Sequence, residues 1–209
     1  MVGTKTNRTE RQLSPEKAEA ILEGAMQEFL AHGYAATSMD KVAVAAGVSK
    51  ATVYSHFKDK EGLFTAIIQQ LAEKKTSILH LNDLQTLECE PSVVLRQMAT
   101  NMLDFTTNDQ QFLCFVRLII GESGRFPELA RAFVYNFDLS GCAVLGQYLA
   151  SHPELKISDP NATARVFIGA LVHFVITQEM MHGKDVVPLE RERLVNSLIE
   201  LIASTNDRH

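Results

Sequence analysis

The residues best suited to chemistry gather in one short stretch, Thr37 to Lys60. It holds hydroxyls at Thr37, Ser38, Ser49 and Thr52, a phenol at Tyr54, an imidazole at His56, and ammonium groups at Lys50, Lys58 and Lys60. These are donors and cations, the groups that meet phosphate oxygens and base edges. Ser49 is placed to cap a helix whose free N–H groups point outward, an arrangement that accepts phosphate or enters the major groove. Lys50 and Thr52 lie at that helix's N-terminal end, where base edges are read. Tyr54, His56, Lys58 and Lys60 suit phosphates, and Thr37 and Ser38 add contacts from the start of the preceding helix.

Two short helices must hold these groups, at about 38–46 and 49–57. Ala43 is small enough for a close helix crossing, and Gly47 tolerates the positive φ of a tight turn. Val42, Val48, Val53 and Phe57 close a small core. A longer helix precedes them at about 15–32, with Ser14 as N-cap, Pro15 in the first position and Gly33 as the stop. Its apolar face is Ile21, Leu22, Ala25 and Phe29. A fourth helix runs from about 60 to 80 behind Asp59.

After a polar stretch (82–90), helical periodicity continues at about 91–107, 110–122, 127–151, 160–182 and 188–204. Pro91, Pro127, Pro160 and Pro188 mark the starts. Strand signals are nearly absent, so the expected fold is all-α. The expected domains are a 1–14 arm, a 15–62 helix-turn-helix and a 63–209 helical unit.

Over about residues 15–65 the chain resembles the DNA-binding domain of the tetracycline-repressor (TetR) family. The resemblance rests on Phe29-Leu-Ala-His-Gly-Tyr-Ala-Ala-Thr37, the Ala-Gly-Val-Ser turn, and Thr52-Val-Tyr-Ser-His-Phe-Lys-Asp-Lys-Glu-Gly-Leu-Phe64. It implies DNA contacts at Thr37, Ser49, Lys50, Thr52, Tyr54, His56 and Lys60. It also implies about nine helices, a homodimer on a near-palindromic duplex site, and repression relieved by a small ligand in the cytoplasm.

Phe115 to Phe133 is similar to the C-terminal domain of the AcrR/AefR-type subgroup. That similarity implies an apolar ligand held between helices and a dimer seam on the last two helices. Met98, Met102, Phe105, Phe112, Phe115, Ile119, Phe133 and Phe137 are candidate pocket residues, since methionines and aromatics adapt to varied apolar ligands. Phe167, Ala170, Leu171, Phe174, Leu194, Leu198 and Leu201 are candidates for the seam.

Other chemistries find little support. Net charge is −5, unlike a protein that coats nucleic acid, and residues 1–62 are neutral. His173 and His182 are too far apart in sequence for a metal pair on one helix. Gly121-Glu-Ser-Gly-Arg125 lacks the glycine spacing and strand of a nucleophile elbow. No phosphate-binding or dinucleotide loop occurs. No catalytic set, metal or cofactor is expected. Cys89, Cys114 and Cys142 are odd in number and widely spaced, as in a reduced chain, and oxidant sensing at Cys114 stays open. No apolar run reaches the ~18 residues of a membrane span, and no secretion signal is read at the start. Two other readings remain: a small-molecule-binding protein that kept the fold, and a non-specific DNA binder.

Overall fold

The computed structural model describes residues 14–79 and 89–203. Most of the expected 1–14 arm and of the 82–90 stretch lies outside them. The chain divides into two compact units, Met1–Ile67 and Ile68–His209. The division falls inside a helix, somewhat beyond the expected boundary at residue 62.

In the first unit, α1 spans Pro15–Ala36 but is broken at Gly33 (φ 77°, ψ 167°). That backbone conformation is open to glycine and strained for other residues, so the regular helix stops where Gly33 implied. Ser14 takes the N-cap position, but its hydroxyl donates to Glu16 instead of capping. α2 (Met39–Ala45) and α3 (Lys50–His56) follow, joined through Gly47 at φ +64°. α4 (Lys60–Leu79) begins behind Asp59, whose carboxylate accepts the Gly62 N–H at 2.8 Å. The core is aromatic at its centre: Phe64 meets Phe29 edge-on at 5.1 Å and Tyr34 at 5.3 Å. Ile21, Val42, Val53 and Leu63 are fully buried around it.

The second unit contains α5 (Pro91–Asn108), α6 (Gln110–Glu122), α7 (Pro127–Phe133), α8 (Ser140–Ala150), α9 (Pro160–Phe174) and α10 (Arg191–Ala203). A π-helical turn, Val134–Leu139, connects α7 to α8, and another, Val175–Met180, extends α9. Counting each run through a π-turn as one rod, the described residues hold nine helices and no strand. Both π-turns depart from the uninterrupted helices expected there. Pro188 also does not begin a helix. Residues 183–187 form a turn in which the Val186 and Val187 N–H groups both bond Gly183 O, and α10 starts at Arg191. Arg191 donates to Thr100 O and to Asp104 Oδ1 on α5.

Most of the residues expected at the dimer seam pack within the protomer. Phe167, Leu171, Phe174 and Leu198 are buried in this unit's own core with Leu95, Leu103, Leu145 and Leu149. Ala170 and Leu194 pack half-buried against that core. Only Leu201 of the seven is a surface residue, 66% exposed. An apolar helix face needs a cover, and here the protomer supplies most of it. Against the expectation that no run is apolar enough, Pro160–Met180 reaches the length and composition of a membrane span, with a mean hydropathy of 1.2, as core helices also do. That apolarity has a use within the fold, because Phe167, Leu171 and Phe174 form part of the core.

Candidate DNA interface and ligand pocket

The helix-turn-helix is built from local bonds. Ser38 accepts the Lys41 N–H at 3.3 Å and so starts α2. Ser49 accepts the Thr52 N–H at 3.1 Å and starts α3. Between them, the Val48 N–H bonds Ala43 O at 3.0 Å. Ala43 is buried at the crossing and Val53 fixes α3 to the core.

With Val53 inward, the opposite side of α3 faces solvent. Ser38, Ser49, Lys50, Tyr54 and Lys58 are exposed, while Thr52 and His56 are half-exposed. The Ser49 and Thr52 hydroxyls lie 2.8 Å apart. Lys50 carries a partner that sequence reading did not anticipate. Its ammonium sits 2.7 Å from one Asp40 oxygen and 2.9 Å from the other. This hydrogen-bonded carboxylate raises the Lys50 pKa above its ordinary value.

Two expected contacts turn inward. Thr37 is only 3% exposed, and its hydroxyl is directed at Gly33 O (2.8 Å) and Glu28 O (3.0 Å). The Thr37 hydroxyl is thus turned to the α1 backbone at the Gly33 break and one turn before it. Lys60 directs its ammonium at Tyr34 O (2.7 Å), Thr37 O (3.0 Å) and Ala35 O (3.3 Å). The same ammonium lies 4.4 Å from the Tyr34 ring centre. An ammonium has three donors, so in this structure Lys60 holds the end of α1 instead of facing outward.

The second unit contains a cavity of about 300 Å³. Met102, Phe112, Ile119, Phe133 and Phe137, all expected from sequence, line it. Met98, Phe105 and Phe115 do not. Met98 packs in the core, Phe115 is fully buried, and Phe105 stands behind Phe112 at a ring distance of 5.0 Å. Part of the unexpected wall comes from the π-turns, Val134 from the first and Val175, Ile176 and Met180 from the second, and the rest from α5, α6 and α9. π-turns displace side chains from α-helical register and frequently mark functional sites. Arg117 holds the second turn by donating to Glu179 O and Met180 O, both at 3.1 Å. Ile120, Val134 and Val172 are cavity residues that are also exposed, which places an apolar rim at the surface.

Two family models cover the units separately. Residues 21–67 match the tetR family of bacterial regulatory proteins, and residues 93–204 match the C-terminal domain of AefR-like transcriptional repressors. The chain belongs to the TetR family. It is thus a helix-turn-helix transcriptional regulator. The uncharacterised HTH-type transcriptional regulator YhgD of Bacillus subtilis (strain 168) is 44% identical to this TetR-family chain over 201 residues, covering 90% of this chain and 95% of YhgD. The HTH-type transcriptional regulator AcrR of Shigella flexneri is 30% identical over 123 residues, a match spanning 59% of this chain and 57% of AcrR. Among solved structures, the flavonoid-responsive regulator FrrA superposes with a TM-score of 0.77 at 30% identity, covering 92% of this chain and 97% of FrrA. FadR from Bacillus subtilis in complex with stearoyl-CoA shares the fold, with a TM-score of 0.63 at 19% identity over 89% of this chain and 97% of that one.

Proposed function

We propose that this regulator is a homodimeric, cytoplasmic repressor that leaves a near-palindromic operator when a small apolar effector fills the α5–α9 cavity. The observation that carries the DNA reading is the solvent-facing N-terminal end of α3, where Ser49, Lys50 and Thr52 stand with Tyr54 one turn on. Lys50 and Thr52 read base edges in the major groove. Ser38, Ser49, Tyr54, His56 and Lys58 contact phosphates. Thr37 and Lys60 act indirectly, by fixing the end of α1. The effector works only if it binds the two dimer states with different affinity.

The test is fluorescence anisotropy on duplexes tiled across the DNA flanking the protein's own gene, at two salt concentrations with random competitor. Competitor-resistant binding to one tile supports the reading. Equal, salt-sensitive binding to every tile refutes sequence-specific recognition.

The Asp40–Lys50 pair gives a sharper expectation. Asp40 places a carboxylate beside the base-reading lysine, where approaching phosphates add like charge. Asp40→Asn should tighten operator binding about five-fold at low salt, with a smaller gain at high salt. Weaker binding by the variant would show that Asp40 positions Lys50 for DNA instead of competing with it.

The dimer face is read from what remains exposed. Val166 (68%) and Leu201 (66%) stand on opposite walls of an apolar groove of about 410 Å³ between α9 and α10. A second copy related by a two-fold axis would cover both. Leu201→Glu should yield monomers in light scattering. It should also weaken operator binding by at least about a hundred-fold, because the second half-site contact is no longer intramolecular. Dimers persisting at micromolar concentration would move the seam elsewhere.

A further inference from the structure

Among the described residues, Thr106 is the one hydrogen-bonding side chain in the wall of the α5–α9 cavity, and none of the wall side chains is charged. Thr106 is buried, and its hydroxyl is directed at Met102 O (2.9 Å) and Leu103 O (3.1 Å), one turn back on α5. A hydroxyl has one proton and two acceptor lone pairs. With the proton committed to the helix, Thr106 offers the cavity lone pairs only. A ligand carboxylate would find no donor there, and burying an unpaired charge is heavily penalised. The Arg117 guanidinium is held by the Glu179 and Met180 carbonyls and is not part of the wall. The volume, about 300 Å³, corresponds to roughly ten water molecules at ~30 Å³ each, so it suits a compact ligand.

We infer that the effector is a compact, uncharged, largely apolar molecule carrying one hydrogen-bond donor, an alcohol or phenol O–H or an equivalent N–H, which donates to Thr106 Oγ1. This rests on reading the cavity as the effector site. It narrows the ligand from apolar in general to a single-donor class, and it excludes carboxylates and other anions. The remaining wall supplies apolar contact through Phe112, Phe133 and Phe137, with Met102 and Met180 adapting to shape.

A matched set of probes tests it: naphthalene, 1-naphthol and 1-naphthoate. The chain has no tryptophan, so naphthyl emission reports binding directly. The full-length protein should bind 1-naphthol about five- to ten-fold more tightly than naphthalene, the worth of one net hydrogen bond. It should not bind 1-naphthoate at neutral pH. Thr106→Val keeps the side-chain shape and removes the acceptor. It should bring 1-naphthol down to the level of naphthalene while naphthalene binding is unchanged. Thr106→Ser should restore the preference, and thermal unfolding of both variants checks that they fold. Equal binding of naphthol and naphthalene by the parent protein overturns the donor inference while leaving the cavity reading intact. So does a naphthol preference that survives Thr106→Val, or tight binding of 1-naphthoate. Failure of naphthalene itself to bind removes the cavity reading and the inference together.

Discussion

Gly24→Val should lower the melting temperature of the N-terminal unit by more than about 12 °C and abolish operator binding. A Cβ at residue 24 would lie 2.7 Å from Ala46 N, 3.0 Å from Ala46 Cα and 3.1 Å from Ala45 C. All three are backbone atoms, so no rotamer change relieves the contact. α1 would have to move off the end of α2, where the Ala46 N–H closes the last bond to Val42 O at 2.9 Å. Overpacking of this kind costs about 3 kcal/mol at the upper end. A core serving fewer than about 70 residues rarely supplies more than 3–5 kcal/mol, and each kcal/mol moves the transition of so small a domain by about 4–8 °C. Gly24→Ala tests the sign. Helix propensity favours alanine by about 1 kcal/mol, so a stabilised Gly24→Ala protein would show that the crossing has room to relax. Calorimetry on the full chain is the measurement. In both variants 1-naphthol binding should persist, because the cavity belongs to the second unit.

The parts of this fold that were readable in sequence are those fixed by neighbours along the chain. Ser49 and Asp59 each cap a helix because a short oxygen-bearing side chain meets an N–H three residues on, whereas Ser14, also of the right type, turns its hydroxyl to Glu16. Gly33 and Gly47 mark backbone conformations that side chains strain. What residue type alone does not carry is direction. Thr37 has the chemistry of a phosphate contact, but its hydroxyl is directed at the Gly33 and Glu28 carbonyls of α1. Phe167, Leu171 and Phe174 show that α9 needs burying, yet periodicity does not say whether the cover comes from the same chain or from a second copy. The two π-turns leave no signature in a 3.6-residue pattern. Pocket residues such as Val175 and Ile176 therefore read as ordinary core. Asp40 and Lys50 were both visible, but their pairing depends on how the turn at Gly47 folds α3 back on α2.

Lys60→Met should destabilise the N-terminal unit by about 2–3 kcal/mol while leaving the salt dependence of operator binding unchanged. The stem is retained and only the ammonium is lost. Three carbonyls at the end of α1 then lose their donor, and hydrogen bonds to charged groups are worth about 1.5–3 kcal/mol each, with poor additivity. The shift in melting temperature should be about 8–24 °C. The salt slope separates this role from direct contact. A lysine on a phosphate releases a counterion, and its removal would lower the slope by about 0.9. Lys60 in this structure spends its donors on Tyr34, Ala35 and Thr37, so affinity should fall by a similar factor at every salt concentration, following the population of correctly docked α1. A slope reduced by about one unit with an unchanged melting temperature would return Lys60 to the DNA backbone. It would also mean that the end of α1 is held by other means, with Thr37 and the Phe29–Tyr34–Phe64 cluster as the groups to examine next.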